Sequence, residues 1–111
     1  MSMKQQIQGI IDRFHAKMEK DPELKKEVMP IDKVINVDLG EGEQYSFKIK
    51  DAEVYYFESG LLDEADLTLT STPEVFSQLI DGSLRPMRAY VMKKVKIKGK
   101  IDDLMFLKKL F

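Results

Sequence analysis

The sequence predicts an α+β domain in which a mainly antiparallel sheet carries helices on one face. Three observations predict it. Around Ile35, Tyr45 and Leu67, apolar and polar residues alternate with the two-residue period of a half-buried strand. Before and after those runs, apolar residues recur at steps of three and four, the period of a helix with one buried stripe. The strands come mostly in succession rather than one after each helix, an order that belongs to α+β folds more than to α/β folds.

The first helix is expected over residues 2–20, where Met3, Ile7, Ile10, Ile11, Phe14 and Met18 form one stripe. His15 lies at the edge of that stripe and reads as a packing or surface residue. Asp21-Pro22-Glu23 combines an N-cap with a proline that has no N–H to leave unpaired, so a short second helix starts there and runs to Val28. Pro30 stops it.

Ile35, Val37 and Leu39 alternate with Asn36 and Asp38 in the first strand, and Tyr45, Phe47 and Ile49 with Ser46, Lys48 and Lys50 in the second. The link between them, Gly40-Glu41-Gly42-Glu43, is turn material short enough to make an antiparallel hairpin. Asp51-Ala52 reads as another tight reversal, although neither residue is glycine. Val54-Tyr55-Tyr56-Phe57 is apolar at every position, so the third strand is either covered on both faces or shows one aromatic face outward. Residues 59–65 form a loop whose Leu61 and Leu62 either tuck beneath it or stand out as a patch.

Residues 66–70 alternate again as a fourth strand. Ser71-Thr72-Pro73-Glu74 has the chemistry of a helix start, with either hydroxyl able to cap and Ser71 at capping-box distance from Glu74. Val75, Phe76, Leu79 and Ile80 share a helical face, and Gly82 suits a left-handed stop. Leu84, Met87, Tyr90 and Val91 are again spaced as on a helix, with Pro86 in its first turn. Over residues 94–98, Val95 and Ile97 alternate with Lys94, Lys96 and Lys98, a strand with an apolar and a cationic face, and Gly99 ends it. A last helix is expected over residues 101–111, where Ile101, Leu104, Met105, Phe106, Leu107, Leu110 and Phe111 cover an arc wide enough to face a cavity. The final strand follows two helical pieces and is expected to join the sheet parallel to a neighbour, which makes the sheet mixed.

A chain of 111 residues suits one domain, residues 1–111. It has no cysteine and one histidine, which excludes disulfides, thiolate nucleophiles and cysteine or histidine-cluster metal sites. No apolar run approaches the roughly 20 residues of a membrane span, and the first ten lack a signal peptide's apolar core, so a cytoplasmic location is expected. There is no Gly-x-Ser-x-Gly elbow, phosphate loop or nucleophile–histidine pair, so no enzyme and no cofactor is expected. Asp102-Asp103 is explained by the dipole of the helix they open, and Asp63, Glu64 and Asp66 do not follow a calcium-loop pattern. Charge is uneven: residues 82–111 carry +7 and the remainder −8, for a net −1. A basic third attracts phosphates or an anionic membrane, and Lys on an edge strand also blocks edge pairing. Nucleic acid is not the expected partner, because the whole chain is slightly acidic.

The run GSLRPMRAYVMKKVKIKG resembles the signature of the sterol carrier protein 2 family of lipid-transfer domains. The matching positions are Gly82, Leu84, Pro86, Ala89, the alternating residues 94–98 and Gly99. Upstream, residues 65–70 are similar to the family's Ala-Asp and threonine-containing strand, and downstream Met105, Leu107 and Leu110 match its last helix. The likeness runs from Val34 to the end and fades in the first helix. Two departures stand out: Lys93 where the family usually has Gly before the strand, and Leu104 where it often has a small residue, which would narrow a cavity.

The resemblance implies a five-stranded sheet with helices on one face and an apolar tunnel between the layers. It implies a non-catalytic carrier for a fatty acyl chain, acyl-CoA or isoprenoid lipid. Lipid contacts are then expected from Phe76, Leu79, Ile80, Met87, Tyr90, Val91, Leu104 and Met105. Met87, Met92 and Met105 suit a pocket that adapts to its ligand. Arg88, Lys93, Lys94, Lys96 and Lys98 are the residues expected to meet an anionic headgroup or membrane. The alternative is the same fold with a filled core, used for protein contact or as a homodimer.

Overall fold

The computed structural model describes residues 2–100 and Asp102. The last helix expected over residues 101–111, with Leu104 and Met105, lies outside the described residues. Helix α1 spans Met3–Lys20 and buries Met3, Ile7, Ile10, Ile11, Phe14 and Met18. Ser2 caps it in a capping box with Gln5. Asp21 ends α1 in an extended conformation and also caps α2, Pro22–Val28, where its carboxylate accepts from the Leu24 N–H at 3.1 Å.

Strands β1, Lys33–Asp38, and β2, Gln44–Lys50, form the expected hairpin, with Ile35 opposite Phe47 and Val37 opposite Tyr45. β3, Glu53–Ser59, follows through Asp51 and Ala52, whose φ values of 54° and 59° are both left-handed. That is the backbone a two-residue hairpin needs for its twist, here adopted without glycine. The register slips between Lys48 and Ile49, so that Ile49 faces Val54 and Lys48 faces Tyr56. Tyr55 is the residue left over, and it stands exposed. The bulge resolves the all-apolar run: Val54 and Phe57, three apart, both turn toward the helices, and β3 is not covered on both faces.

The sheet order is β3-β2-β1-β4-β5, five strands with helices on one face. β4, Leu67–Thr70, runs parallel to β1, and β5, Lys96–Lys98, runs antiparallel to β4. The parallel pair is therefore β1 with β4, and not the final strand with a neighbour. Residues 60–66 carry the chain across the sheet to start β4 in the direction of β1. Two helices then separate β4 from β5. One helix would return the chain in the same direction, and the second reverses it again.

Helix α3, Pro73–Asp81, is capped by Thr72, whose hydroxyl accepts from the Val75 N–H at 3.2 Å. Ser71 instead donates to the Lys94 carbonyl at 2.9 Å, so the Ser71–Glu74 capping box does not form. Gly82 ends α3 with φ 84°. Helix α4, Pro86–Val91, closes with bonds from the Lys93 N–H to Tyr90 and from the Lys94 N–H to Ala89, at 3.1 and 2.8 Å. This is the Schellman pattern, and Lys93 sits at its left-handed position with φ 61°. Because Lys94 is used in this closure, β5 starts at Lys96, later than the alternation predicts.

The core lies between the α1 stripe, α3 and one sheet face. Phe14, Ile35, Ile49, Leu67, Leu69 and Leu79 are its largest fully buried apolar side chains besides Val28. Gly99, φ 141°, lies against β4: a Cβ there would sit 2.6 Å from the Asp66 carbonyl oxygen. Both its conformation and the close approach require glycine.

Candidate functional site

The described residues leave an open trough where α1, the end of α3 and the start of α4 meet. One part is a cleft of about 470 Å³ lined by Leu79, Ile80, Leu84, Pro86 and Met87, with Arg13, Asp81 and Arg85 among its polar walls. A second part, of about 430 Å³, is lined by Gln5, Gln6, Gly9, Arg13 and Ile80. Arg13 and Ile80 belong to both, so the two parts adjoin.

The trough follows from local sequence. On α1, Gln6, Gly9 and Arg13 fall on one stripe at steps of three and four, with a residue lacking a side chain at its centre. Across from it, α3 ends at Asp81 and the chain turns through Gly82. That turn brings Leu84, Arg85 and Pro86 to the cleft wall. The Arg13 guanidinium donates to the Ile80 carbonyl at 3.4 Å, which ties α1 to the open end of α3. The Asp81 carboxyl is held below its usual range by hydrogen bonds from Ser83, so it is ionised at neutral pH. Two guanidinium groups, Arg13 and Arg85, outweigh it on an otherwise apolar wall. Such an arrangement accepts an amphiphile with an anionic end.

A separate opening of about 500 Å³ is lined by Tyr90, Val91, Lys93, Val95, Lys96 and Ile97. The residues expected to touch lipid therefore divide. Ile80 and Met87 are half-buried on the trough, and Leu79 is buried at its floor. Phe76 is buried in the core, and Tyr90 and Val91 are exposed at the second opening. Leu104 and Met105 are outside the described residues. Arg88, Lys93, Lys94, Lys96 and Lys98 are all exposed. Arg13, Arg85, Leu84 and Pro86 are trough residues that the sequence reading did not select. Arg13 shares a helical stripe with Gln6 and Gly9, but that spacing alone does not distinguish a cleft wall from a solvated face.

Among the described residues, no helix is long and apolar enough to cross a membrane. The sequence profile of the SCP-2 sterol transfer family matches residues 11–111. No curated protein sequence matches the chain. Among solved structures, sterol carrier protein 2 of Yarrowia lipolytica, in its apo form, superposes with a TM-score of 0.62 at 18% identity, covering 94% of this chain and 84% of that one. The palmitated sterol carrier protein 2 like 2 of Aedes aegypti superposes with a TM-score of 0.62 at 22% identity, covering 99% and 94%. A stereoselective inverting sec-alkylsulfatase of a Pseudomonas species superposes with a TM-score of 0.66 at 17% identity over 78% of this chain, which spans only 14% of the sulfatase's length. Identities this low show a shared fold.

Proposed function

We propose a lipid-carrier role from one premise: the chain belongs to the SCP-2 sterol transfer family. In this reading it is a non-catalytic cytoplasmic carrier of a fatty acyl chain, free or as acyl-CoA, with isoprenoid lipids as further candidates. The observation that carries the reading is the trough, where Leu79, Ile80, Leu84 and Met87 offer an apolar wall beside Arg13 and Arg85. The acyl chain lies along the apolar wall, and the carboxylate or phosphate meets the two guanidinium groups. The palmitated insect neighbour supports an acyl ligand. Burial contributes about 0.8 kcal/mol per CH₂, so a long chain reaches micromolar affinity after the entropy costs of association.

Arg88, Lys93, Lys94, Lys96 and Lys98 are proposed to meet an anionic headgroup or membrane during delivery, with Tyr90 and Val91 as lipid contacts at the second opening. The alternative is the same fold with a filled core, used for protein contact or as a homodimer; it predicts no lipid uptake, and sedimentation velocity reads its homodimer form. The deciding experiment is titration of the purified chain with a fluorescent fatty acid, and native mass spectrometry for co-purified lipid. Micromolar binding, weakened at least about tenfold by replacing Arg13 and Arg85 with Ala, is expected if the pair holds the charged end. Absence of binding and of any co-purified lipid would remove the carrier reading.

A further inference from the structure

Tyr90, Val91 and Met92 are consecutive, large and exposed, at 38%, 73% and 47% of their full accessibility. Their position is fixed from behind. Pro86 and Ala89 are buried on the inner face of α4, and the Lys93 and Lys94 N–H bonds lock the turn that follows. Ser71 also holds the Lys94 carbonyl. The outer face of so short a helix would be polar if it faced only water, yet Val91 on that face is exposed over most of its surface.

The surrounding charge has one sign. Residues 82–100 contain seven Lys or Arg and no Asp or Glu. Arg88 lies two residues before the apolar triad, Lys93 and Lys94 directly follow it, and Lys96 shares the opening lined by Tyr90 and Val91. An apolar tip inside a cationic ring matches the boundary of an anionic bilayer: the tip enters the acyl region and the long basic side chains reach the headgroups.

We propose that Tyr90, Val91 and Met92 form a wedge that inserts into anionic membranes, with Arg88, Lys93, Lys94 and Lys96 as its headgroup contacts. The opening lined by Tyr90, Val91, Val95 and Ile97 then faces the bilayer, which gives a lipid a short route between membrane and protein. The inference rests on the carrier reading for its purpose, and its test is read independently of ligand uptake.

The chain has no tryptophan, so Val91→Trp places a single reporter on the tip. Vesicles of phosphatidylcholine with about 30% phosphatidylglycerol should shift its emission to the blue, and brominated acyl chains should quench it. Pure phosphatidylcholine should do neither. In the otherwise unaltered chain, Val91→Glu, or Lys93, Lys94 and Lys96 replaced together by Gln, should weaken vesicle co-sedimentation at least about tenfold, and high salt should act as the lysine changes do. Emission unchanged by anionic vesicles, or shifted equally by neutral ones, overturns the proposal. Blue emission before vesicles are added also overturns it: dependence on protein concentration identifies a second copy over the tip, and independence identifies cover from the same chain. Fluorescent fatty-acid uptake by the unaltered chain without vesicles is measured alongside. Uptake without vesicle binding removes only the wedge, whereas vesicle binding without uptake removes only the carrier.

Discussion

Asn36 holds Leu62 at both ends of its residue: the Asn36 side-chain amide donates to the Leu62 carbonyl at 2.8 Å, and the Leu62 N–H donates to Asn36 Oδ1 at 3.0 Å. Asn36 lies on the sheet face away from Ile35 and Val37 and is 4% exposed. This pair fixes residues 60–66 as they cross the sheet, and the crossing is what makes β4 parallel to β1. Asn36→Leu leaves two backbone groups without partners and should cost about 2–4 kcal/mol in denaturant unfolding. Asn36→Asp keeps the acceptor but sets a carboxylate against the Leu62 carbonyl. Its deficit should shrink as pH falls through the carboxylate range, because a protonated acid donates again. A neutral effect of Asn36→Leu would show that the loop is held by other contacts.

Lys93 occupies a position where glycine is the lower-energy choice. A non-glycine residue in the left-handed region carries about 1–2 kcal/mol of strain, and glycine loses part of that gain to a more flexible unfolded chain. Lys93→Gly should therefore raise stability by about 0.5–1 kcal/mol, read as a higher unfolding midpoint with an unchanged denaturant slope. A loss of similar size would mean that the Lys93 side chain stabilises the fold through a contact worth more than the strain.

These two residues mark what was legible. Alternation located the first, second and fourth strands, because burial on one face is written residue by residue with period two, whereas the third was read from an unbroken apolar run. Lys93 was visible as a departure from the family pattern, and its φ of 61° explains why glycine is usual there. Strand order was not legible, since it depends on Asn36 and Leu62, residues of ordinary type that are 26 apart. Lys94 fitted the alternation of a strand, but its N–H goes to Ala89. In the trough, Ile80 and Met87 were legible as apolar helix positions. Arg13 was not, because the polar side of an amphipathic helix looks the same in sequence whether it faces water or a cleft.

Tyr45 predicts behaviour at alkaline pH. Burial, then the hydrogen bond to Glu43 and its charge, push the phenol up to about 12 from 10.0. The folded pKa lies above the unfolded one, so the fold favours the protonated phenol. Its contribution is complete below about pH 10 and is lost as pH rises through about 12. The difference in unfolding free energy between the unaltered chain and Tyr45→Phe should be constant up to pH 10 and then move in favour of Phe, while lysine titration cancels between the two. A difference that stays flat to pH 12 would show that Tyr45 ionises alike in both states.

Gly9 separates a structural role of the trough from a binding role. It lies inside α1, where glycine costs about 0.5–1 kcal/mol relative to alanine. A Cβ built on it meets nothing within 4 Å, so neither packing nor conformation requires glycine there. Gly9→Ala should stabilise the fold by about 0.5–1 kcal/mol, and Gly9→Leu by nearly as much, since leucine is also a good helix former. Their effects on ligand should diverge. The leucine side chain projects into the space bounded by Gln5, Gln6, Arg13 and Ile80, which the proposed acyl chain occupies, whereas a methyl group barely enters it. Fluorescent fatty-acid titration should show affinity little changed for Gly9→Ala and at least about fivefold weaker for Gly9→Leu, a loss of about 1 kcal/mol. Weaker binding in a more stable protein cannot be attributed to unfolding. Equal affinity in all three would place the ligand outside the α1 side of the trough, in the cleft of Leu79, Leu84 and Met87 or at the second opening by Tyr90 and Val91.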